Sequence, residues 1–246
     1  GGANNICNNC PYGVKPSGQV SKEADAFKVL SNLGWRYPKG NDFDGGTNTG
    51  YPIIVRDQYR LESKSVWEHS VVGFTDKIFD EAKKRDFGYK DEDGEAWIDD
   101  FYKWRFIDDK PAKGEVVGNI SFEFWSGKDE YNVSWKYDSG KNSYLRVNGG
   151  KDFTDLETKE QISAKNVVIQ FVKEKGPVDK EGHMIYTTVG EGKALIFQNG
   201  EVIEATWEKK SQSSRTKYFY KEGKEVAFVR GLIWIEAIPG LNKINY

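Results

Sequence analysis

From about Glu115 to the C-terminus, large apolar and small polar side chains alternate one for one. Ile120, Phe122 and Phe124 alternate with Ser121 and Glu123, while Tyr131, Val133, Trp135 and Tyr137 alternate with Asn132, Ser134 and Lys136. A period of two is the spacing of a half-buried strand, whose successive side chains point to opposite faces. Turn signals separate the runs at Ser139-Gly140, Gly149-Gly150, Asn199-Gly200 and Glu222-Gly223. The same pattern predicts strands over 166–172, 184–189, 193–198, 201–207, 215–220, 224–229 and 232–238. With no helical pattern between them, these strands point to an antiparallel sandwich or barrel-like sheet.

Upstream the pattern is mixed. Ser21 is the predicted N-cap of a helix to about Leu33, with Ala26, Val29, Leu30 and Leu33 as its apolar stripe. Ile53-Ile54-Val55 reads as a short buried strand. Thr75 is the predicted N-cap of a second helix from Asp76 to about Arg85, with Ile78, Phe79 and Ala82 facing inward. Tyr102 to Phe106 reads as a strand. The character changes near Lys110-Pro111-Ala112-Lys113-Gly114. The expected fold is therefore α+β: a Gly/Asn/Pro-rich loop over 1–20, an α/β lobe over 21–112 and an antiparallel β lobe over 113–246.

Composition excludes several classes. The 8 Trp, 13 Tyr and 14 Phe exclude a disordered chain. No apolar run approaches the roughly 18 residues of a membrane span. A net charge of −2 provides no sequence-wide basic field for nucleic acid. Cys7 and Cys10 form a Cys-Asn-Asn-Cys motif that reads as a local disulfide or as two thiols without a role. Pro11, Gly13, Pro16 and Gly18 follow it, so the helix that a thioredoxin-like pair would open is missing. The chain opens Gly1-Gly2-Ala3 without an initiator Met, as expected of a processed or trimmed polypeptide, and residues 1–20 contain no signal peptide.

The densest polar cluster is Arg56, Asp57, Arg60, Glu68 and His69. Arg56-Asp57 follows an apolar strand, and the carboxyl ends of strands are where ligands bind in open α/β sheets. Arginine offers a planar fork for carboxylate or phosphate, and histidine suits general-base work near neutral pH, which makes His69 a candidate base. A structural Arg–Asp pair tying a loop is the plainer reading of the same residues. No Gly-x-Ser-x-Gly, Walker, dinucleotide or His-Glu-x-x-His motif occurs. Asp91-Glu92-Asp93-Gly94-Glu95 lacks the spacing of a calcium loop and reads as a charged hairpin tip. No metal site and no cofactor is expected. In the β part, Arg146, Asp152, Asp155 and Arg215 are the polar residues nearest the glycine-rich turns. Trp125 beside Phe124, and Tyr218-Phe219-Tyr220, put aromatic residues on both faces of strands. Such residues serve either a two-layer core or an exposed platform for a ligand such as a glycan.

Several segments taken in order resemble the YerB-like lipoprotein family, a bacterial domain family of unknown function. They are Val133-Ser-Trp-Lys-Tyr-Asp138, Ser143-Tyr-Leu-Arg146, Gln161-Ile-Ser-Ala-Lys-Asn-Val-Val168 and Gly190-Glu-Gly-Lys-Ala-Leu-Ile-Phe197. Asn199-Gly200, Thr206-Trp207, Arg215-Thr216 and Gly231-Leu-Ile-Trp-Ile-Glu-Ala-Ile-Pro239 continue the series. Upstream, Arg56-Asp57, Arg60 and His69-Ser-Val-Val-Gly-Phe-Thr75 look like the family's arginine–aspartate and histidine segment. The resemblance covers about residues 24–240. One departure is Phe153, where family members often carry a histidine. The resemblance implies that the chain is the C-terminal two-thirds of the family unit, with Gly1-Gly2 as an internal step. An upstream segment or a second polypeptide would then complete an otherwise incomplete first lobe. It also implies an extracytoplasmic, envelope-attached or extracellular bacterial protein, and it implies no activity.

The leading expectation is a protein that binds an anionic ligand or a protein partner in an inter-lobe cleft lined by Arg56, Asp57, Arg60 and His69. The alternative is a hydrolase or transferase acting on an envelope polymer, with His69 as base and Glu68 or Asp155 as acid or metal ligand. A third reading is a structural subunit of a surface assembly.

Overall fold

The computed structural model describes residues 21–33, 42–43, 49–61, 63–90, 93–96, 98, 101–240 and 242–246. Cys7 and Cys10, and Asp91 and Glu92 of the acidic tip, lie outside the described residues. The chain divides into two compact units. One comprises Gly1–Phe101 and Gly176–Ile185, the other Tyr102–Lys175 and Tyr186–Tyr246. The boundary expected near residue 112 thus falls at 101/102, and a segment from within the β-rich sequence joins the first unit.

The first unit carries α1 (Ala26–Asn32), β1 (Ile54–Arg56), β2 (Val71–Gly73) and α2 (Thr75–Lys84). β1 and β2 pair antiparallel, with Ile54 opposite Gly73 and Arg56 opposite Val71. α1 starts later than expected. Its cap is Asp25, whose Oδ1 accepts from Lys28 N at 3.0 Å, while Ser21 Oγ accepts from Ala24 N one turn earlier. α2 starts at Thr75 itself, with Phe74 at the cap position and no side-chain cap. Ile78 and Ala82, four apart, form its half-buried stripe, whereas Phe79, expected to face inward, is 74% exposed. One residue along a helix is a rotation of about 100°, enough to carry Phe79 off that stripe. Arg85 anchors the end of α2 through Glu81 Oε1 (2.9 Å), Asp42 O (3.0 Å) and Thr49 Oγ1 (2.8 Å).

The second unit is built of strands. They run β3 (Arg105–Ile107), β4 (Asn119–Phe122), β5 (Val133–Asp138), β6 (Ser143–Asn148), β7 (Lys151–Asp152), β8 (Ser163–Ala164) and β9 (Asn166–Lys175). Then follow β10 (Ile185–Thr187), β11 (Gly190–Gln198), β12 (Glu201–Lys209), β13 (Lys217–Tyr220), β14 (Ala227–Val229) and β15 (Ile233–Pro239). One sheet has the order β4-β5-β6-β7, with β8 also on β6. The other has the order β10-β9-β11-β12-β13, with β15 added beside β9. Most pairings are antiparallel, as the hairpin turns require. Two are parallel: β15 on β9, and β14 on β3. The β3–β14 pairing ties Arg105–Ile107 to residue 227 onward, which is why the boundary precedes them.

β9 explains the aromatic residues on two faces. Val167 and Ile169 enter one core with Ile120, Phe122, Val133, Trp135, Tyr144 and Phe197. Val168 and Val172 enter another with Ile196, Trp207, Tyr218 and Phe228. A strand covered on both sides reads as a continuous apolar run, and Val167-Val168-Ile169 does. Asn166, fully buried, behaves like backbone: its side chain donates to Val229 O and accepts from Val229 N, both at 2.8 Å. Tyr131, expected to begin a strand, sits instead in a 3-10 turn over Asp129–Tyr131. There Asn132 N donates to Asp129 O at 3.0 Å, and the alternation starts in earnest only at Val133.

Candidate functional site

In the first unit, β1 and β2 flank a loop holding a 3-10 turn over Trp67–His69. The Arg56 guanidinium donates to the Trp67 carbonyl and lies 4.9 Å from the centroid of the Trp67 ring. Asp57 N donates to Ser70 O at 2.8 Å, and Asp57 Oδ1 accepts from Tyr59 N at 2.9 Å. Ser70, buried, donates its hydroxyl to the same Trp67 carbonyl at 2.7 Å. Arg56 and Asp57 therefore shape the loop that carries His69. Glu68, His69 and Arg60 are exposed on it. Asp155 belongs to the second unit, where its Oδ1 accepts from Glu157 N (2.9 Å) and Thr158 N (2.7 Å) and closes its own turn.

A second polar cluster, in the segment 176–185, was not visible in the sequence. Asp179 Oδ2 accepts from Ser21 N at 3.0 Å, and both carboxylate oxygens lie within 3.0 Å of His183 Nδ1. Burial pushes this carboxyl up, but the bonds from Ser21 N–H, the His183 ring and His183 N–H outweigh it and bring its pKa to about 2.

The second unit contains a buried charge pair. Arg146 on β6 and Glu236 on β15 meet at 3.4 Å, and Trp135 Nε1 donates to the same Glu236 oxygen at 3.3 Å. The guanidinium carbon lies 4.6 Å from the Trp234 ring centroid, 4.8 Å from Phe153 and 5.6 Å from Trp135. Phe153, which stands where the resemblance leads one to expect histidine, thus caps an arginine through its ring face. Arg215 lies 3.8 Å from the Trp104 ring centroid in the other core. Among the described residues no three His, Cys, Asp or Glu side chains cluster in a way that could hold a metal ion.

A groove of about 770 Å³ lies in the second unit. Ser121 on β4 and Ser134 on β5, opposite each other across the pairing, line it. Asn242, Lys243 and Asn245 supply another part of its wall, on a segment that follows the edge of β4. Asn245 exchanges two backbone bonds of 2.9 Å with Ser121, and Asn242 Nδ2 donates to Glu123 O at 2.6 Å. Gly149 and Gly150 form the tip of a hairpin that also lines it. Gly149 has φ +55°, and a Cβ there would meet Glu130 O at 2.9 Å, so the position excludes a side chain. Asn132 is held by Nδ2 donating to Asp129 Oδ1 at 3.2 Å, and its Oδ1 is buried with no hydrogen-bond partner. Trp125 and Tyr131, next in sequence to lining residues, pack edge to face at 4.7 Å and are each nearly half exposed. Sequence reasoning singled out Trp125 and the Gly149-Gly150 turn but not their neighbours. Serines and asparagines carry no motif until a fold brings them together.

Residues 120–235 match the family described as "Protein of unknown function (DUF3048) C-terminal domain". A Bacillus subtilis (strain 168) protein named "Putative lipoprotein YerB" is 30% identical over 137 residues. That alignment covers 55% of this chain and 39% of the relative, so it spans well under half the length of that protein. The crystal structure of YerB from Bacillus subtilis superposes with a TM-score of 0.65 at 24% identity, covering 90% of this chain and 68% of the other. The shared fold therefore extends well beyond the matched β domain.

Proposed function

Starting from a YerB-like family member, we propose that this chain acts at the bacterial envelope by holding a ligand, and that the groove beside β4 and β5 is the seat of that ligand. The groove itself carries the reading. Its volume falls within the roughly 300–1,000 Å³ of small-molecule sites, and hydroxyl, amide and backbone groups surround two phenylalanines within it. Envelope attachment rests on the lipoprotein name of the relative. Among the described residues no helix is long and apolar enough to cross a membrane.

Binding accounts for the remaining candidates better than catalysis does. A general base needs an acid, a nucleophile or a substrate proton within hydrogen-bond reach. His69 and Glu68 stand exposed on a turn, and Asp155 is committed to its own loop. Arg56 is engaged by Trp67, and Arg60 and His69 are exposed on the same loop.

The test is co-sedimentation with purified, insoluble cell-wall sacculi, comparing the unaltered chain with Ser134→Tyr. Ser134 is half exposed on a strand, where tyrosine is well tolerated, so the variant fills the groove and keeps the fold. Retention of the unaltered chain and loss by the variant, with equal thermal midpoints, is the expected result. Equal retention of both, or retention of neither, would overturn the proposal.

A further inference from the structure

Resting on the groove as the binding site, we infer that its ligand is an uncharged glycan. The argument begins with charge. The ionisable side chains lining the groove are Glu123, Asp129 and Lys243, a net of one negative charge. A phosphate- or carboxylate-bearing polymer would meet two carboxylates for one ammonium, and like charges brought together disfavour binding. A neutral ligand meets no such opposition.

The other lining groups suit hydroxyl-rich molecules. A sugar hydroxyl is both donor and acceptor, and the groove offers both from Asn132, Asn242, Asn245, Ser121, Ser126 and Ser134. Carboxylates such as Glu123 and Asp129 accept from pairs of neighbouring hydroxyls. Asn132 adds a specific observation. Its amide oxygen has no hydrogen-bond partner, and a turn of the side chain toward a ligand hydroxyl would satisfy it.

Aromatic rings complete the pattern. The pyranose face is a patch of C–H groups that packs on an indole or phenol ring, as apolar bodies with polar rims do. Trp125 and Tyr131 hold one another edge to face. Both are nearly half exposed, Trp125 between the lining residues Phe124 and Ser126 in sequence and Tyr131 beside the lining residue Asn132. A rigid ring loses little freedom on binding, so its contact area converts efficiently into affinity.

The experiment titrates the intact chain with N-acetylglucosamine tetramer and with maltotetraose, following calorimetry and tryptophan fluorescence. The expected result is saturable binding of at least one, unchanged between about 50 and about 500 mM salt because no charge is paired. Trp125→Ala and, independently, Tyr131→Ala are expected to weaken it about tenfold or more, each with a near-native melting midpoint. Saturable binding only of polyphosphate or of an acidic peptide, with steep salt dependence and loss in Ser134→Tyr, would overturn the glycan assignment and leave the groove reading standing. Sugar binding that neither ring variant nor Ser134→Tyr affects would overturn both.

Discussion

Arg146 Nη1 lies 3.4 Å from Glu236 Oε1, with both side chains less than a tenth exposed. Burial pushes the Glu236 carboxyl up and the Arg146 guanidinium down, while their mutual attraction acts the other way on each. The arrangement is a paired charge inside an aromatic box, joining β6 of one sheet to β15 of the other. Its energetic character follows from that setting. Attraction between the two is offset by the cost of removing both from water, whereas a lone survivor bears that cost without compensation.

Replacing one partner should therefore hurt far more than replacing both. Arg146→Met or Glu236→Leu alone is expected to lower unfolding free energy by about 3–5 kcal/mol. The double variant should recover most of that loss, since Trp135, Trp234 and Phe153 already form an apolar lining. Urea titrations of the four proteins form the double-mutant cycle. Additive losses would mean that the pair is not coupled.

Asp179 provides a pH dependence. Its folded pKa, about 2, is below that of an unfolded aspartate, so the unfolded chain binds the proton more tightly. The stabilisation is therefore complete above the ordinary aspartate pKa and is lost as pH falls through the folded value. Asp179→Asn should be less stable than the unaltered chain at pH 5 to 7, and the two should converge as pH approaches about 2. Thermal midpoints across that range measure the gap. A gap that stays constant or widens toward low pH would contradict the assignment.

Gly192 on β11 leaves no room for a methyl group. A Cβ there would lie 2.6 Å from Trp207 Nε1 and 2.9 Å from Phe171 O, the two atoms joined by a 2.8 Å hydrogen bond across the sheet. Gly192→Ala is expected to cost about 1–3 kcal/mol through overpacking and loss of that bond. Gly118→Ala, with nothing within 4 Å of the new atom, is the control and should be close to neutral. Chemical denaturation distinguishes them.

Arg56 reports on the 3-10 turn. If its guanidinium holds the Trp67 carbonyl, Arg56→Ala should speed amide exchange at residues 67–70 and leave the β-rich unit unchanged. Exchange mass spectrometry resolves the two regions. Unchanged exchange at 67–70 would show that the arginine is dispensable for the turn.

The β-rich half was legible because its signal is local. Val133, Trp135 and the Asn199-Gly200 turn announce their strands within a few residues, and the structure places strands there. Helix ends were less legible. Ser21 and Asp25 are both good caps, and only the folded chain chooses between them, tying Ser21 N to Asp179, far away in sequence. The candidate site was the least legible part. Arg56 and Asp57 are a conspicuous pair, yet conspicuous residues can serve a loop. The groove is made of Ser121, Asn132, Ser134 and Asn245, which are unremarkable one at a time.

By itself the sequence did not determine β2, β6, β7 or β8, but it determined most of the strands of the β-rich half, their turns and the likeness to a YerB-like β domain. These follow from neighbouring residues, whose alternation sets which faces must leave water. Tertiary structure alone decided the parallel additions of β15 to β9 and β14 to β3, the transfer of 176–185 to the first unit, and the meeting of Arg146 with Glu236. It likewise decided that Asn242, Lys243 and Asn245 would wall a groove. Each of these joins residues distant in the chain. Burial demands only that an apolar face be covered, and the packing of the whole chain selects what covers it.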